Sequence, residues 1–279
     1  MSNKLENKVI VITGAGGTLC SEMARNLADQ GGRIVLLGRD LDKLKKVENE
    51  IKDTGGEALS ISTDITNEGQ VEKAGKITVE TFGPCDILIN GAGGNQPDAV
   101  TTTREFENRE LNGTNGIRGF FNLNMETFRS VVDTNTMGTV IPCHVFARQM
   151  AGSGGGNIVN IASMNSYRPL SKVGAYGMAK AAIMNFTQWL AGYLAPAQIR
   201  VNAIAPGFFL NDRSRKLLTT PDGYTERGES IIRQTPMRKF GEASELTGCL
   251  NWLIDDEAAG FVTGITIPVD GGFLADSGV

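Results

Sequence analysis

The stretch "KVIVITGAGGTLCSEMARNLADQGGRIVLLGRD", Lys8 to Asp40, decides the fold. A β-branched run ends at Thr13, and Gly14, Gly16 and Gly17 follow. Next comes "SEMARNLADQGG", with apolar residues at three- and four-residue spacing and a closing glycine, the usual helix stop. A second apolar run, "RIVLL", starts at Arg33. Strand, glycine turn, helix and strand within about thirty residues make a βαβ crossover. Backbone N–H groups at the start of such a helix form an anion cradle. Gly14 suits the tight turn, Gly16 and Gly17 permit close approach of a pyrophosphate, and Thr18 and Leu19 come next in line. The GxGxxG pattern fails at Leu19, so the loop alone leaves a dinucleotide site and a purely conformational turn equally open.

The alternation continues through the chain. "ALSIS", "DILIN", "NIVNIAS", "IRVNAIA" and "GITIPV" are further short apolar runs without polar alternation, as strands covered on both faces require. Between the earlier ones lie "DLDKLKKVENEIKDTGG" and "NEGQVEKAGKITVETFG", both helical in spacing. The expected architecture is α/β: a doubly wound parallel sheet of about seven strands with helices on both faces. No repeat or linker divides it, so 1–279 reads as a single domain. Two segments break the rhythm. Residues 94–124, with "NQPDAVTTTREFENRELNGTNGIRGFFNLN", are polar and glycine-rich and follow a strand's carboxyl end, where ligands bind in open α/β sheets. They are expected to form a lid over the substrate. Residues 207–235 are read as a second substrate loop, in which Phe208, Phe209 and Leu210 could wall a bound ring.

Bulk properties narrow the function. With 41% hydrophobic and 21% charged residues and a formal charge of -4, the chain offers no basic face for nucleic acid or a membrane. No apolar run approaches the ~18 residues that would span a bilayer. The start, "MSNKLENKVIVITG", is unlike a secretory signal, and Cys20, Cys85, Cys143 and Cys249 lack CxxC spacing. Reduced thiols and a cytoplasmic location are expected. The one histidine, His144, excludes a histidine-rich metal site, and no metal is expected.

At the end of the second strand an NAD site would hold a carboxylate for the ribose hydroxyls. Here Gly38 and Arg39 stand instead, which suits a 2′-phosphate by charge and favours NADP(H), with NAD(H) the alternative. Farther on, "NIVNIASMNSYRPLSKVGAYGMAKAAIMNF" sets Tyr176 and Lys180 four apart, on one face of a helix. An ammonium near a phenol lowers its pKa toward the range useful for proton transfer. Ser163 ends a strand, where its hydroxyl could bond a substrate carbonyl, and Asn135 lies in the preceding helix.

These residues resemble the short-chain dehydrogenase/reductase family. The likeness runs through "TGAGG", Asp64–Ile65, "NGAG" at Asn90–Gly93, Asn135, Ser163, "YGMAK", Pro206–Gly207 and "DGG" at Asp270–Gly272. It implies a Rossmann-type fold and reversible ketone/alcohol conversion with NAD(P). By that likeness Tyr176 donates and accepts the proton, Ser163 orients the carbonyl, and Lys180 lowers the tyrosine pKa and holds the nicotinamide ribose. Asn135 would support a proton relay. Asp64 and Ile65 would meet the adenine, and Asn90, Gly91, Ala92, Pro206, Gly207 and Phe209 would also line the coenzyme. A homo-oligomer, usually a tetramer, is implied too. Departures fall on the phosphate loop: where the family writes TGxxxGxG, this chain has Thr18 and Cys20, and its "NNAG" reads "NGAG".

The same segments are similar to the D-mannonate oxidoreductase (fructuronate reductase) branch, which implies a C6 sugar acid. Asn165, Arg168 and Lys172, between Ser163 and Tyr176, are the candidates for its hydroxyls and carboxylate. The alternatives are a reductase of another polyol, sugar or secondary alcohol, and a sensor that binds NAD(P) without turnover.

Overall fold

The computed structural model describes residues 4–112 and 116–276. In chain order its elements are β1 (Val9–Thr13), α1 (Thr18–Ala28), β2 (Arg33–Gly38), α2 (Leu41–Asp53), β3 (Glu57–Ser62), α3 (Glu68–Thr81) and β4 (Ile87–Asn90). Then follow α4 (Met125–Gly152), β5 (Gly156–Ile161), α5 (Gly174–Leu194), β6 (Ile199–Pro206) and α6 (Asp212–Leu218). A two-stranded hairpin, β7 (Thr219–Thr220) and β8 (Gly223–Tyr224), leads into α7 (Glu226–Gln234), α8 (Thr247–Ile254), α9 (Asp256–Ala259) and β9 (Thr266–Val269).

Seven strands form one sheet in the order β3-β2-β1-β4-β5-β6-β9, every pair parallel. The chain leaves β1 toward one edge through β2 and β3, then returns to β4 on its other side. The order therefore reverses between β1 and β4, and the crevice beyond their carboxyl ends is where this architecture binds ligands.

Both faces of the sheet are covered. On β1, Ile10 and Ile12 pack with Met23 and Leu27 of α1 and Leu250 and Leu253 of α8. Their neighbours Val9 and Val11 point the other way, to Val71 of α3 and Phe146 of α4. Successive side chains alternate between faces, so two buried faces produce the unbroken apolar runs of the sequence. Each fully buried aliphatic side chain contributes about 1.5–3 kcal/mol, which commits the strands to this layering.

Helix starts differ in a way that matters for the site. Asp40 caps α2 by accepting from the Lys43 amide at 3.2 Å, Asn67 caps α3 on Gln70 at 3.0 Å, and Asn124 caps α4 on Thr127 at 2.8 Å. At α1 the cap is Gly17, with no side-chain acceptor.

The two irregular segments carry more order than their composition suggests. Within 94–124 lie three short 3₁₀ turns, Pro97–Ala99, Asn108–Asn112 and Phe120–Asn122. Arg118 holds the segment together: it pairs with Asp98, donates to the Val100 carbonyl at 3.0 Å, accepts from the Thr102 amide at its own carbonyl and donates its amide to the Thr102 hydroxyl. Residues 207–235 contain α6, the hairpin and α7. Among the described residues no helix is long and apolar enough to cross a membrane.

Candidate active site

The site grows from the carboxyl ends of β1, β4 and β5. Gly14 sits at φ +68°, and a Cβ there would lie 2.7 Å from the Ala92 Cα; only glycine serves both the turn and this approach. The buried Thr13 hydroxyl accepts from the Gly91 and Ala92 amides, each at 3.1 Å, and so ties the end of β4 to the turn. Thr18 opens α1, whose first N–H groups no side chain caps, and they are donors for an anion. Leu19 instead packs against the core.

The two motif departures meet each other here. A Cβ on Gly91 would lie 2.1 Å from the Cys20 sulfur, which is itself buried. The thiol occupies the space that a side chain at 91 would need, so a larger residue at 20 goes with glycine at 91. Gly91→Ala is expected to destabilise the protein by about 1–3 kcal/mol through overpacking. Adding Cys20→Ala should relieve it, with a coupling energy on the order of 1 kcal/mol in urea unfolding. Additive effects would show that the two positions do not share this space.

Beyond β3, where the sequence places the adenine contacts, Asp64 accepts from the Thr66 amide and hydroxyl at 3.0 and 2.7 Å. These bonds hold its carboxyl below the usual range, with the exposed Arg39 adding to the effect. Ile65 is buried against Gly138, where a Cβ would lie 2.0 Å from its Cδ1. Gly207 passes close to Asp270, as a Cβ there would lie 2.6 Å from the Asp270 Cα. Pro206 ends β6 just before it. The Phe209 ring is turned into the core against Gly241 and Leu210 into a neighbouring apolar cluster, so neither offers the wall expected of it.

The catalytic candidates converge. Ser163 follows β5 by two residues, accepts from the Asn165 amide at 3.1 Å, and lies beside the Tyr176 side chain. Tyr176 and Lys180 share one face of α5, with the ammonium 5.7 Å from the ring centroid. Lys180 is buried and donates to the Ile161 carbonyl at 2.7 Å. Burial pushes its pKa down to about 8. For Tyr176 the expected lowering is corrected: burial pushes the phenol above its usual range, and the neighbouring Ser163 hydroxyl opposes this. The ammonium lies over the ring and bonds a carbonyl, so desolvation decides the sign. Near it, burial pushes the Cys20 thiol up to about 12, against the Lys180 charge. Cys20 is therefore a packing group here.

Asn135 is fully buried in α4. Its amide donates to the Gly94 carbonyl at 2.7 Å and the Val131 carbonyl at 2.8 Å, and its oxygen accepts from the Gly94 amide at 3.1 Å. It thus clamps the start of the 94–124 segment. Asn90 lies deeper, donating to Asn160 at 2.9 Å and to the Cys143 sulfur at 3.1 Å.

The substrate candidates separate. Asn165 accepts from the Leu170 amide at 2.8 Å, and its buried amide nitrogen has no partner. With Gly174, Gly177, Met178 and Ala181 it lines a cavity of about 260 Å³ on the face of α5 turned away from Tyr176 and Lys180. That removes it from the group around the reacting centre. Arg168 is exposed and donates to the Asp276 carbonyl at 3.2 Å. The Lys172 ammonium donates to the Thr102 carbonyl at 2.6 Å. Among the described residues, no three acidic, histidine or cysteine side chains form a metal cluster.

Thr13, Cys20, Gly93, Gly94 and the Ile161 carbonyl complete the site. The paired irregularities at 20 and 91 were the sequence signal for one of these contacts. The others are contacts between side chains and backbone far apart in the chain, and carried none.

Residues 8–222 match the model of the short chain dehydrogenase family. The chain belongs to that family. An oxidoreductase of Haemophilus influenzae without an assigned substrate is 47% identical to this short chain dehydrogenase, over all of this chain and 97% of its own. A like oxidoreductase of Bacillus subtilis, UxuB, is 43% identical over all of this chain and 99% of its own. A crystal structure of a Haemophilus influenzae protein proposed to be a D-mannonate oxidoreductase, with NAD bound, superposes with a TM-score of 0.93. It is 45% identical and the match covers 99% of this chain and 98% of that one. This short chain dehydrogenase is thus an enzyme, an oxidoreductase of alcohol and ketone groups, and a sensor without turnover is set aside.

Proposed function

We propose that this enzyme interconverts a ketone and a secondary alcohol on a C6 sugar acid, D-fructuronate and D-mannonate, with a nicotinamide dinucleotide. The observation that carries the reading is Tyr176, set beside Ser163 and with the Lys180 ammonium over its ring. The uncapped N-terminus of α1, entered through the Gly14 turn, fits a pyrophosphate. When bound, the coenzyme supplies or removes hydride at the carbinol carbon. Everything else falls to the chain. Ser163 orients the carbonyl oxygen, Tyr176 gives it a proton, and the Lys180 charge stabilises the phenolate left behind. A phenol above its usual range and an ammonium at about 8 are both largely protonated at neutral pH, the state that serves reduction.

For the substrate carboxylate the proposal uses Arg168, whose guanidinium needs only to leave a backbone carbonyl. The chain acts as one catalytic unit, with 94–124 and 207–235 bordering the substrate. A homo-oligomer belongs to the same reading: Met178, Trp189 and Tyr193 are exposed along α5, and Met137 is exposed on α4. Arg39 biases the coenzyme site toward NADP(H), while the similarity to the NAD-bound structure supports use of NAD(H) as well.

Loss of nucleotide absorbance on mixing enzyme, NADPH or NADH, and D-fructuronate tests the reading. Turnover is expected with both nucleotides, and Arg39→Ala should lower kcat/KM for NADPH about tenfold or more while leaving NADH nearly unchanged. Activity confined to uncharged ketoses would assign the enzyme to another polyol. No turnover of any ketone would overturn it.

A further inference from the structure

Lys172 carries a backbone anomaly that the mechanism does not use. It sits at φ +75°, a left-handed conformation that a lysine adopts at a cost and glycine would not feel. Such strain persists where the surroundings over-determine it, and it often marks function. The surroundings are specific. The Lys172 carbonyl accepts from the Thr101 amide at 3.1 Å, and its ammonium donates to the Thr102 carbonyl at 2.6 Å. Both bonds run to the strap 98–103 of the irregular segment, and Arg118 grips that strap at Asp98, Val100 and Thr102. Within the strap, Ala99 is buried in an apolar cluster with Val131 of α4 and Ala175 of α5, against which Tyr176 packs. Asn135 clamps the same segment at Gly94.

We propose that Lys172 is a positioning residue: it staples the 98–103 strap to the segment preceding the catalytic tyrosine, so that Ala99 backs the Tyr176 ring. The left-handed turn is what lets one residue offer its carbonyl and its ammonium to the same strap. This deepens the proposed function and rests on it for the role of Tyr176. It also leaves Arg168 without Lys172 as a partner in holding a carboxylate.

The test compares Lys172→Gly, Lys172→Met and Lys172→Arg in the full-length enzyme. Glycine keeps the turn and the carbonyl bond to Thr101 and removes the ammonium bond to Thr102. Methionine keeps the strain and the stem without the charge. Arginine keeps a donor. Amide exchange across 97–103, read by mass spectrometry without substrate, is expected to quicken about tenfold or more in the Gly and Met variants. Arginine should restore protection. With D-fructuronate and with an uncharged ketose, kcat should fall about tenfold in Gly and Met, with KM for the ketone nearly unchanged, because a misplaced proton donor impairs both alike. Lys172→Gly should unfold at no lower temperature than wild type, which separates loss of the staple from loss of the fold.

Unchanged exchange with full kcat in Lys172→Gly would overturn the proposal. A rise in KM for the acid alone, with exchange unchanged, would also overturn it and make Lys172 a carboxylate ligand. If wild-type enzyme turns over neither ketone, the functional reading fails while the exchange result still decides whether the staple exists.

Discussion

Tyr176→Phe is expected to lower kcat for ketone reduction by about 10²–10⁴-fold, the usual worth of a positioned proton donor. The substitution deletes one hydroxyl and leaves the ring in its cluster with Ala99, Val131 and Ala175. Ser163 loses one polar neighbour, at a cost of about 1 kcal/mol of stability or less, so the fold should survive. Because the hydroxyl acts on the developing alkoxide, the effect belongs in kcat, with coenzyme KM nearly unchanged. Steady-state kinetics on the purified variant decide it. A loss below tenfold would remove Tyr176 from the chemistry.

Lys180→Met should cost about 10²–10³-fold in kcat, comparable with removing one preorganised donor from an oxyanion site. The buried ammonium is the positive charge set against the Tyr176 ring, and it is fixed there by the Ile161 carbonyl. Its pKa near 8 gives a sign to the pH dependence. Below about 8 the ammonium is charged and supports the phenolate; above it the charge is lost. Reduction at saturating coenzyme should therefore be level through neutral pH and decline above about 8, roughly tenfold per pH unit in its limiting slope. The residual rate of Lys180→Met should lack that decline. A wild-type profile that rises through pH 8 to 10 would show that the uncharged lysine is the working form.

The layering was legible because parallel strands buried on both faces leave unbroken apolar runs such as "KVIVIT" and "RIVLL". The helix stops were legible through their glycines, whereas the strand order came only from the structure. Tyr176, Lys180 and Ser163 could be grouped because a four-residue spacing and a strand end are local features. What escaped depended on tertiary contact. The departures at 20 and 91 stand out in the sequence, but that the Cys20 thiol fills the space beside Gly91 appears only in the packing. The reach of Lys172 and Arg168 is a matter of rotamers, and their ends found backbone carbonyls at Thr102 and Asp276. The direction of the Tyr176 shift required knowing its burial, which spacing does not reveal. Polar composition made 94–124 look structureless, whereas Arg118 and the buried Glu110 bind it together from within. Phe209 and Leu210 looked like site walls because they follow a strand end, yet apolar surface drew them into the core.

The most direct measurement follows deuterium from coenzyme deuterated at its reactive carbon into the product of D-fructuronate reduction, by proton NMR of the recovered alcohol. A ketone reductase built on Tyr176, Ser163 and Lys180 predicts one deuterium at the new carbinol carbon with wild-type enzyme, and a rate of incorporation reduced at least about a hundredfold in Tyr176→Phe. Deuterium retained on the coenzyme by intact enzyme, or incorporation at an undiminished rate without the phenol, would contradict it.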